Sequence, residues 1–267
     1  MNRAKVKYPL TNPLVFAIVM RDAELCQELI ERILPGRRVS KIRFPKPPAS
    51  ETEKTIIPGL YAKSVRLDVL FEDGDAWHDI ELQVQKQSYL PLRGRYYQAA
   101  MDINQLHAGA DYTELRPTYV IFICTFDFYG MEEPIYSFEK YDTKKSLPYG
   151  DGTFTIILNT TCPIEKVPPQ LRDFFGYIND QEVAEGDPFI EHIHHTVEEL
   201  NGRKEIEQIM TLEEELDVRY SIGKKEGCKE IIGKMKANGL SAEVIAEYTG
   251  LPIEEIEKIQ PEKNAAE

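Results

Sequence analysis

Three side chains in the stretch YAKSVRLDVLFEDGDAWHDIELQVQ, residues 61–85, have the types and spacing to act on one substrate: Asp68, Glu81 and Gln83. Before Glu-Asp-Gly-Asp, Val65, Leu67, Val69 and Phe71 alternate with Arg66, Asp68 and Leu70. After it, Ile80, Leu82 and Val84 alternate with Asp79, Glu81, Gln83 and Gln85. Period-two alternation on both sides of an Asp-Gly step predicts a β-hairpin with Asp73-Gly74 at the bend. If those two residues form the whole loop, Asp68 faces Asp79, and Glu81 is its diagonal neighbour with Cβ atoms roughly 7 Å away. Two carboxylates at that separation can converge on one divalent cation; Mg²⁺ commonly takes one or two carboxylates with water and substrate phosphate. Gln83 follows on the same face, where an amide could orient a water beside the ion. The geometry is conditional, because one more loop residue would turn these groups to opposite faces. Alternating polar residues of a hairpin also commonly form a solvated face, so the spacing leaves both readings open.

The elements that must position these residues follow from periodicity. Residues 12–34 predict one helix, with Phe16, Val19, Met20, Ala23, Cys26, Ile30 and Ile33 on a single stripe. Asn12-Pro13 supplies its N-cap and first turn, and Pro35-Gly36 ends it. Residues 37–59 have no clear period and predict an ordered connector or, at most, an edge strand. Its Lys41, Arg43 and Lys46 could extend a phosphate track or be ordinary solvated cations. Residues 90–109 predict a helix ending at Gly109, with Arg93, Arg95, Tyr96 and Tyr97 near its start. The arginines are candidates for phosphate contact and the tyrosines for backbone or base contact in a nucleic acid; packing of one tyrosine in the core is the alternative. The apolar run 117–128 predicts a strand buried on both faces, and 153–159 a further strand. Most of the remainder has helical character, with Gly223, Gly227 and Gly233 arguing against one unbroken helix.

Composition sets the outer limits. With 267 residues the chain can bury a sizeable core and carry a smaller appendage. No run is long and apolar enough for a membrane span, and Met1–Thr11 lacks the apolar segment of a signal peptide. Cys26, Cys124, Cys162 and Cys228 form no CxxC pair, which suits reduced thiols in a cytoplasmic protein. The net charge of −13 argues against non-specific coating of nucleic acid. From Asp187 onward there are 19 acidic and 10 basic residues, so the C-terminal third carries most of the excess. Glu191, His192, His194 and His195 have some metal-ligand character but lack partners at a known spacing. Trp77, just after the turn, is expected to cover the hairpin end.

The sequence RLDVLF, the turn, HDIELQVQ and then RGRYYQAAMDINQLHAGADYTELRPTYVIFICTFDF resembles the recombination-promoting nuclease and transposase family of the PD-(D/E)XK superfamily. The resemblance runs from about Leu10 to about residue 180 and continues loosely in the tail. It implies an α/β, restriction-endonuclease-like core with a mixed central sheet flanked by helices, over residues 1–185. An acidic helical C-terminal region, residues 186–267, would pack on the core or mediate homo-oligomer formation. It also implies a DNA endonuclease dependent on Mg²⁺, or Mn²⁺ in its place. Asp68 and Glu81 would be metal ligands, and Gln83 would stand where the wider superfamily has lysine. Superfamily members often add an acid from the first helix, for which Glu24 and Glu28 are candidates. Two other readings stand beside this one. One is a catalytically inactive nucleic-acid-binding or interaction module of the same fold; the other is a transcription regulator using residues 239–260 as a helix-turn-helix.

Overall fold

The computed structural model describes residues 6–39, 41–45, 54–56, 65–106, 109–181 and 183–260. In chain order its elements are α1 (Pro13–Val19), α2 (Ala23–Ile33), β1 (Lys54–Ile56), β2 (Val65–Leu67), β3 (Val69–Glu72), β4 (Trp77–Gln83), α3 (Leu90–Gln105), β5 (Thr118–Cys124), β6 (Ile135–Phe138) and β7 (Thr153–Asn159). Five helices follow: α4 (Pro169–Asp180), α5 (Pro188–Asn201), α6 (Lys204–Ala237), α7 (Ala242–Thr249) and α8 (Ile253–Glu257). Contacts divide the chain into Met1–Gly202 and Arg203–Glu267. Residue 186 was the expected start of the second region, but α5 packs on α1, α2 and α4 and so belongs to the first unit.

The predicted first helix is two helices. Asn12 caps α1 as expected, its side chain accepting from the Leu14 and Val15 N–H groups at 2.9 and 3.2 Å. The chain then turns at Met20–Asp22, and Asp22 caps α2 by accepting from Glu24 and Leu25. A second N-cap inside the apolar stripe restarts the helix in a new direction. Phe16, Val19, Met20, Cys26 and Ile30 remain fully buried on either side of the break, whereas Ala23 is exposed.

The first unit is built on a mixed five-stranded sheet ordered β3-β4-β5-β7-β6 and flanked by helices. Strands β4, β5 and β7 run parallel, and the edge strands β3 and β6 are antiparallel to their neighbours. Nearly all of β5 is buried and β4 is buried throughout, as central strands covered on both faces must be. Strand β7 occupies the predicted residues, while β5 is shorter than the predicted 117–128 run. One face carries a stacked row, Phe71–His78–Tyr119–Phe154, with centroids 5.0, 5.1 and 4.6 Å apart. These are directly paired residues of β3, β4, β5 and β7, so the row also fixes strand register. The opposite face holds Val120, Phe122, Cys124 and Ile157 against Leu90, Ala100 and Met101 of α3. The connector after α2 meets the sheet edge through Arg43, whose N–H and C=O pair with Glu72. Lys46 lies outside the described residues.

In the second unit, α6 is one continuous helix of 34 residues despite its three glycines. Ile232 of α6, Ile245 of α7 and Ile256 of α8 form a small core joined by Met235, Leu240, Leu251 and Ile259. Val244 of α7 and Ile253 of α8 are exposed. Among the described residues no helix is long and apolar enough to cross a membrane.

Candidate active site

The hairpin register differs from the two-residue-loop expectation. Val69 pairs with Ile80, Leu70 with Asp79, Phe71 with His78 and Glu72 with Trp77, leaving residues 73–76 as a four-residue loop. Asp73 shapes it, accepting from the Asp75 and Ala76 N–H groups at 2.9 and 2.7 Å. Relative to the expectation, pairing slips by two residues; an even slip preserves the face, because side chains alternate with period two. Asp68 therefore lies opposite Glu81 rather than Asp79.

At Asp68 the backbone bends out of regular pairing, between β2 and β3. Side chains fill the place of the lost backbone rungs. The Asp68 N–H donates to Glu81 Oε1 at 3.1 Å, and the Leu82 N–H donates to Asp68 Oδ2 at 3.3 Å. This reciprocal lock ties the two carboxylates to each other's strands. The carboxylate face is not solvated: Asp79, Glu81 and Gln83 are 0%, 1% and 8% exposed.

Helix α3 brings the cation. Arg93 Nη2 donates to Glu81 Oε2 at 2.8 Å, and Nη1 donates to Gln83 Oε1 at 2.7 Å. Its Nε and Nη2 also donate to the Tyr97 hydroxyl at 3.1 and 2.8 Å. The Gln83 amide nitrogen donates to the Leu82 carbonyl at 2.8 Å, so both ends of that amide are engaged within the protein. Gly94 permits the close approach of the helix. A Cβ there would meet Phe122 Cε2 at 3.3 Å and Thr155 Cγ2 at 3.6 Å. Gln98 fastens the next turn, donating to the Phe154 carbonyl at 3.0 Å.

The electrostatics are those of a buried carboxylate cluster with Arg93 beside it. Burial, with the Asp68 charge added, pushes the Glu81 carboxyl up to about 8. Burial, then Glu81 and Asp68, raises Asp79 well above the usual carboxylate range. Both Asp79 oxygens are buried and have no hydrogen-bond partner among the described residues. Burial, followed by Glu81, pushes Tyr97 up to about 12, so it remains a neutral phenol at neutral pH. A cavity of about 250 Å³ opens beside Asp68, lined by Arg21, Phe44, Pro45, Leu67, Asp68, Val69 and Leu70.

Asp68, Glu81, Gln83, Arg93 and Tyr97 thus come together, whereas the other sequence candidates stand apart. Glu24 is exposed and lines a separate surface pocket with Gln27, Lys41 and Arg43. Glu28 accepts from Arg32 Nε at 2.8 Å, and that arginine is in turn paired with Asp187. Arg95 and Tyr96 are exposed on the outer side of α3. The histidines diverge: His194 is buried 3.2 Å from the Tyr177 hydroxyl, while His192 and His195 are near Asp22 and Glu199. All four cysteines are free. Sequence reasoning missed two site residues. Asp79 reads as one more polar position of an alternating strand until its burial is known. Arg21 reads as the middle of a continuous helix, but it sits at the turn between α1 and α2.

Among the described residues, no group of three or more His, Cys, Asp or Glu side chains forms a ready-made metal cage. The two-carboxylate set Asp68–Glu81 nevertheless fits a hard cation that completes its sphere with water and phosphate oxygens. The raised proton affinity of Glu81 and the orphaned Asp79 oxygens point the same way, since added positive charge would relieve both.

The sheet is mixed, two acids face each other across the β3–β4 hairpin away from its loop, and α3 brings Arg93 against them. The chain belongs to the PD-(D/E)XK nuclease family transposases, whose family model matches residues 14–149. That span contains Asp68, Glu81, Gln83 and Arg93. No curated protein and no solved structure matches the chain.

Proposed function

We propose that the protein is a metal-dependent DNA endonuclease with its centre at Asp68, Glu81 and Gln83. The observation that carries this reading is the reciprocal lock between Asp68 and Glu81. It holds two acids together, Glu81 buried and Asp68 half-buried, with Arg93 as the cation that pairs with Glu81. Asp68 and Glu81 would hold the ion, Mg²⁺ or Mn²⁺. When bound, such an ion supplies water activation and neutralises charge that develops on the phosphoryl oxygens. The chain's residues do the positioning. The lock holds each carboxylate against the other's strand, and Gln83 and Tyr97 fix the guanidinium beside Glu81. The cavity beside Asp68, with the exposed Arg21 on its wall, offers a phosphate-compatible approach. The family supports DNA as the substrate, and the free cysteines suit a cytoplasmic location.

In this reading, residues 239–267 serve packing or self-association. Helix α8 has five residues and carries Glu254, Glu255 and Glu257, the wrong charge for a helix approaching phosphates. The direct test is incubation of the purified protein with supercoiled plasmid and Mg²⁺ or Mn²⁺, with EDTA as control. Nicking or linearisation only in the metal lanes is expected; an intact plasmid in every lane would refute the endonuclease reading.

A further inference from the structure

We propose that Arg93 is the protein-supplied cation for the phosphate at this site, and that Gln83 is the positioning residue that aims it; this rests on the endonuclease reading above. Two observations separate Arg93 from an ordinary ion pair. First, its fixation exceeds what neutralising one glutamate requires. The guanidinium is bound by Glu81, Gln83 and Tyr97 together, and it faces the Tyr97 and Phe122 rings at 5.3 and 6.0 Å. Gln83 is itself pinned to the Leu82 carbonyl, so the acceptor that aims Nη1 cannot easily turn away. Second, this fixation leaves donor capacity. An arginine has five N–H groups in a planar fork. The contacts to Tyr97, Gln83 and Glu81 use four of them and leave one on Nη1. The side chain is 25% exposed, so the guanidinium is not sealed from solvent.

A planar cation with a free N–H edge beside two acids suits a phosphodiester oxygen that gains charge during hydrolysis. Arg93 transfers no proton in this role. It stays protonated and donates hydrogen bonds to the phosphoryl oxygen as charge develops there. Before an ion binds, the same guanidinium is the counter-charge for Glu81 and so competes with a divalent cation for that carboxylate. Arg93 should therefore aid turnover while weakening metal binding, a combination that a purely structural residue would not give.

The full-length chain would be compared with Arg93→Gln, Arg93→Lys and the double variant Arg93→Gln/Gln83→Lys. Plasmid nicking would give kcat and KM, calorimetric titration the Mg²⁺ affinity, and thermal melting a check on the fold. Residue 83 is the place for a substitute cation because its side chain already contacts the guanidinium. Arg93→Gln should lower kcat about 100-fold, the scale of losing one preorganised donor, and should bind Mg²⁺ more tightly than the parent. The double variant should regain kcat and lose that extra affinity. Arg93→Lys should fall between and supplies the comparison if Arg93→Gln does not fold. Unchanged kcat in Arg93→Gln, or a folded double variant that recovers neither quantity, would overturn the assignment of Arg93. A parent that never nicks plasmid would instead refute the endonuclease reading; the titrations would then decide, with equal Mg²⁺ affinity in parent and Arg93→Gln counting against the cation.

Discussion

Two acids of the same hairpin, Asp73 in its loop and Glu81 on its second strand, are buried to almost the same degree and treated in opposite ways. Asp73 is 2% exposed and saturated with donors. It accepts from the Asp75 and Ala76 N–H groups, lies 3.0 Å from His78 Nε2 and pairs with Arg37 Nη2 at 3.1 Å. Burial alone would raise its proton affinity, but hydrogen bonds from His78 and Ala76 outweigh burial and hold the carboxyl far below the usual range. Glu81 is 1% exposed with Asp68 against it and Asp79 two residues before it, and burial with the Asp68 charge pushes it up to about 8. Protein interiors satisfy polar groups they bury for structure. Asp73 follows that rule, and Glu81 follows it through the Asp68 N–H and Arg93, but Asp79, two residues before it, has no hydrogen-bond partner among the described residues. In the proposed function, such a violation beside a well-satisfied neighbour belongs to the chemistry rather than the architecture.

The widest separation between the two regions should appear on deleting one acid from each. Asp73→Ala strips acceptors from Arg37, His78 and two backbone N–H groups, and should cost about 3–5 kcal/mol in chemical denaturation, as breaking a buried pair does. Glu81→Gln in metal-free protein should cost far less, because it removes a repulsion along with a hydrogen-bond acceptor. Equal losses would erase the distinction.

The pH dependence should separate them next, with opposite slopes. Asp73 is depressed in the fold, so its stabilisation is complete above the usual carboxylate range and is lost as pH falls below about 4. His78, lowered by burial although Asp73 opposes this, adds acid sensitivity that begins below about 6.5. Glu81 is raised, so the folded state holds the extra proton and metal-free stability should fall as pH rises from about 4.3 to about 8. Melting curves across pH in EDTA would show the alkaline decline, and Glu81→Gln should flatten it. A parent curve flat from pH 5 to 9 would mean that Glu81 is not under this strain.

The smallest expected effect is at Asp79. Burial raises the Asp79 carboxyl well above the usual range and its oxygens accept no hydrogen bond from the described residues, so Asp79→Asn should change metal-free stability by only about 1 kcal/mol in either direction. A loss as large as that of Asp73→Ala would show that Asp79 has partners in solution.

This contrast was only partly legible in the sequence. The shared face of Asp68, Glu81 and Gln83 could be read because period-two alternation survives an even slip of register, even though the loop was taken two residues too short. The strand 153–159 was legible from apolar, β-branched content, and the N-cap at Asn12 from residue type. The break at Met20–Asp22 was hidden because the apolar stripe runs through it; only Asp22, a good N-cap, hinted at a restart. What alternation could not convey was burial. Asp79, Glu81 and Gln83 looked the same as a solvated face, because the helix that covers them lies beyond the hairpin in sequence. Arg93 could be placed at the start of that helix, but its inward direction depends on Gly94 seating α3 on Phe122, a tertiary contact.

The central claim is that Asp68 and Glu81 form the metal-dependent centre, and parallel plasmid cleavage by the parent, Asp68→Ala and Glu81→Ala over a Mg²⁺ series tests it most directly. Each variant should remain folded, as judged by its melting transition, and should lose most of the metal-dependent cleavage seen in the parent. Two folded variants that cleave like the parent at every Mg²⁺ concentration would contradict it.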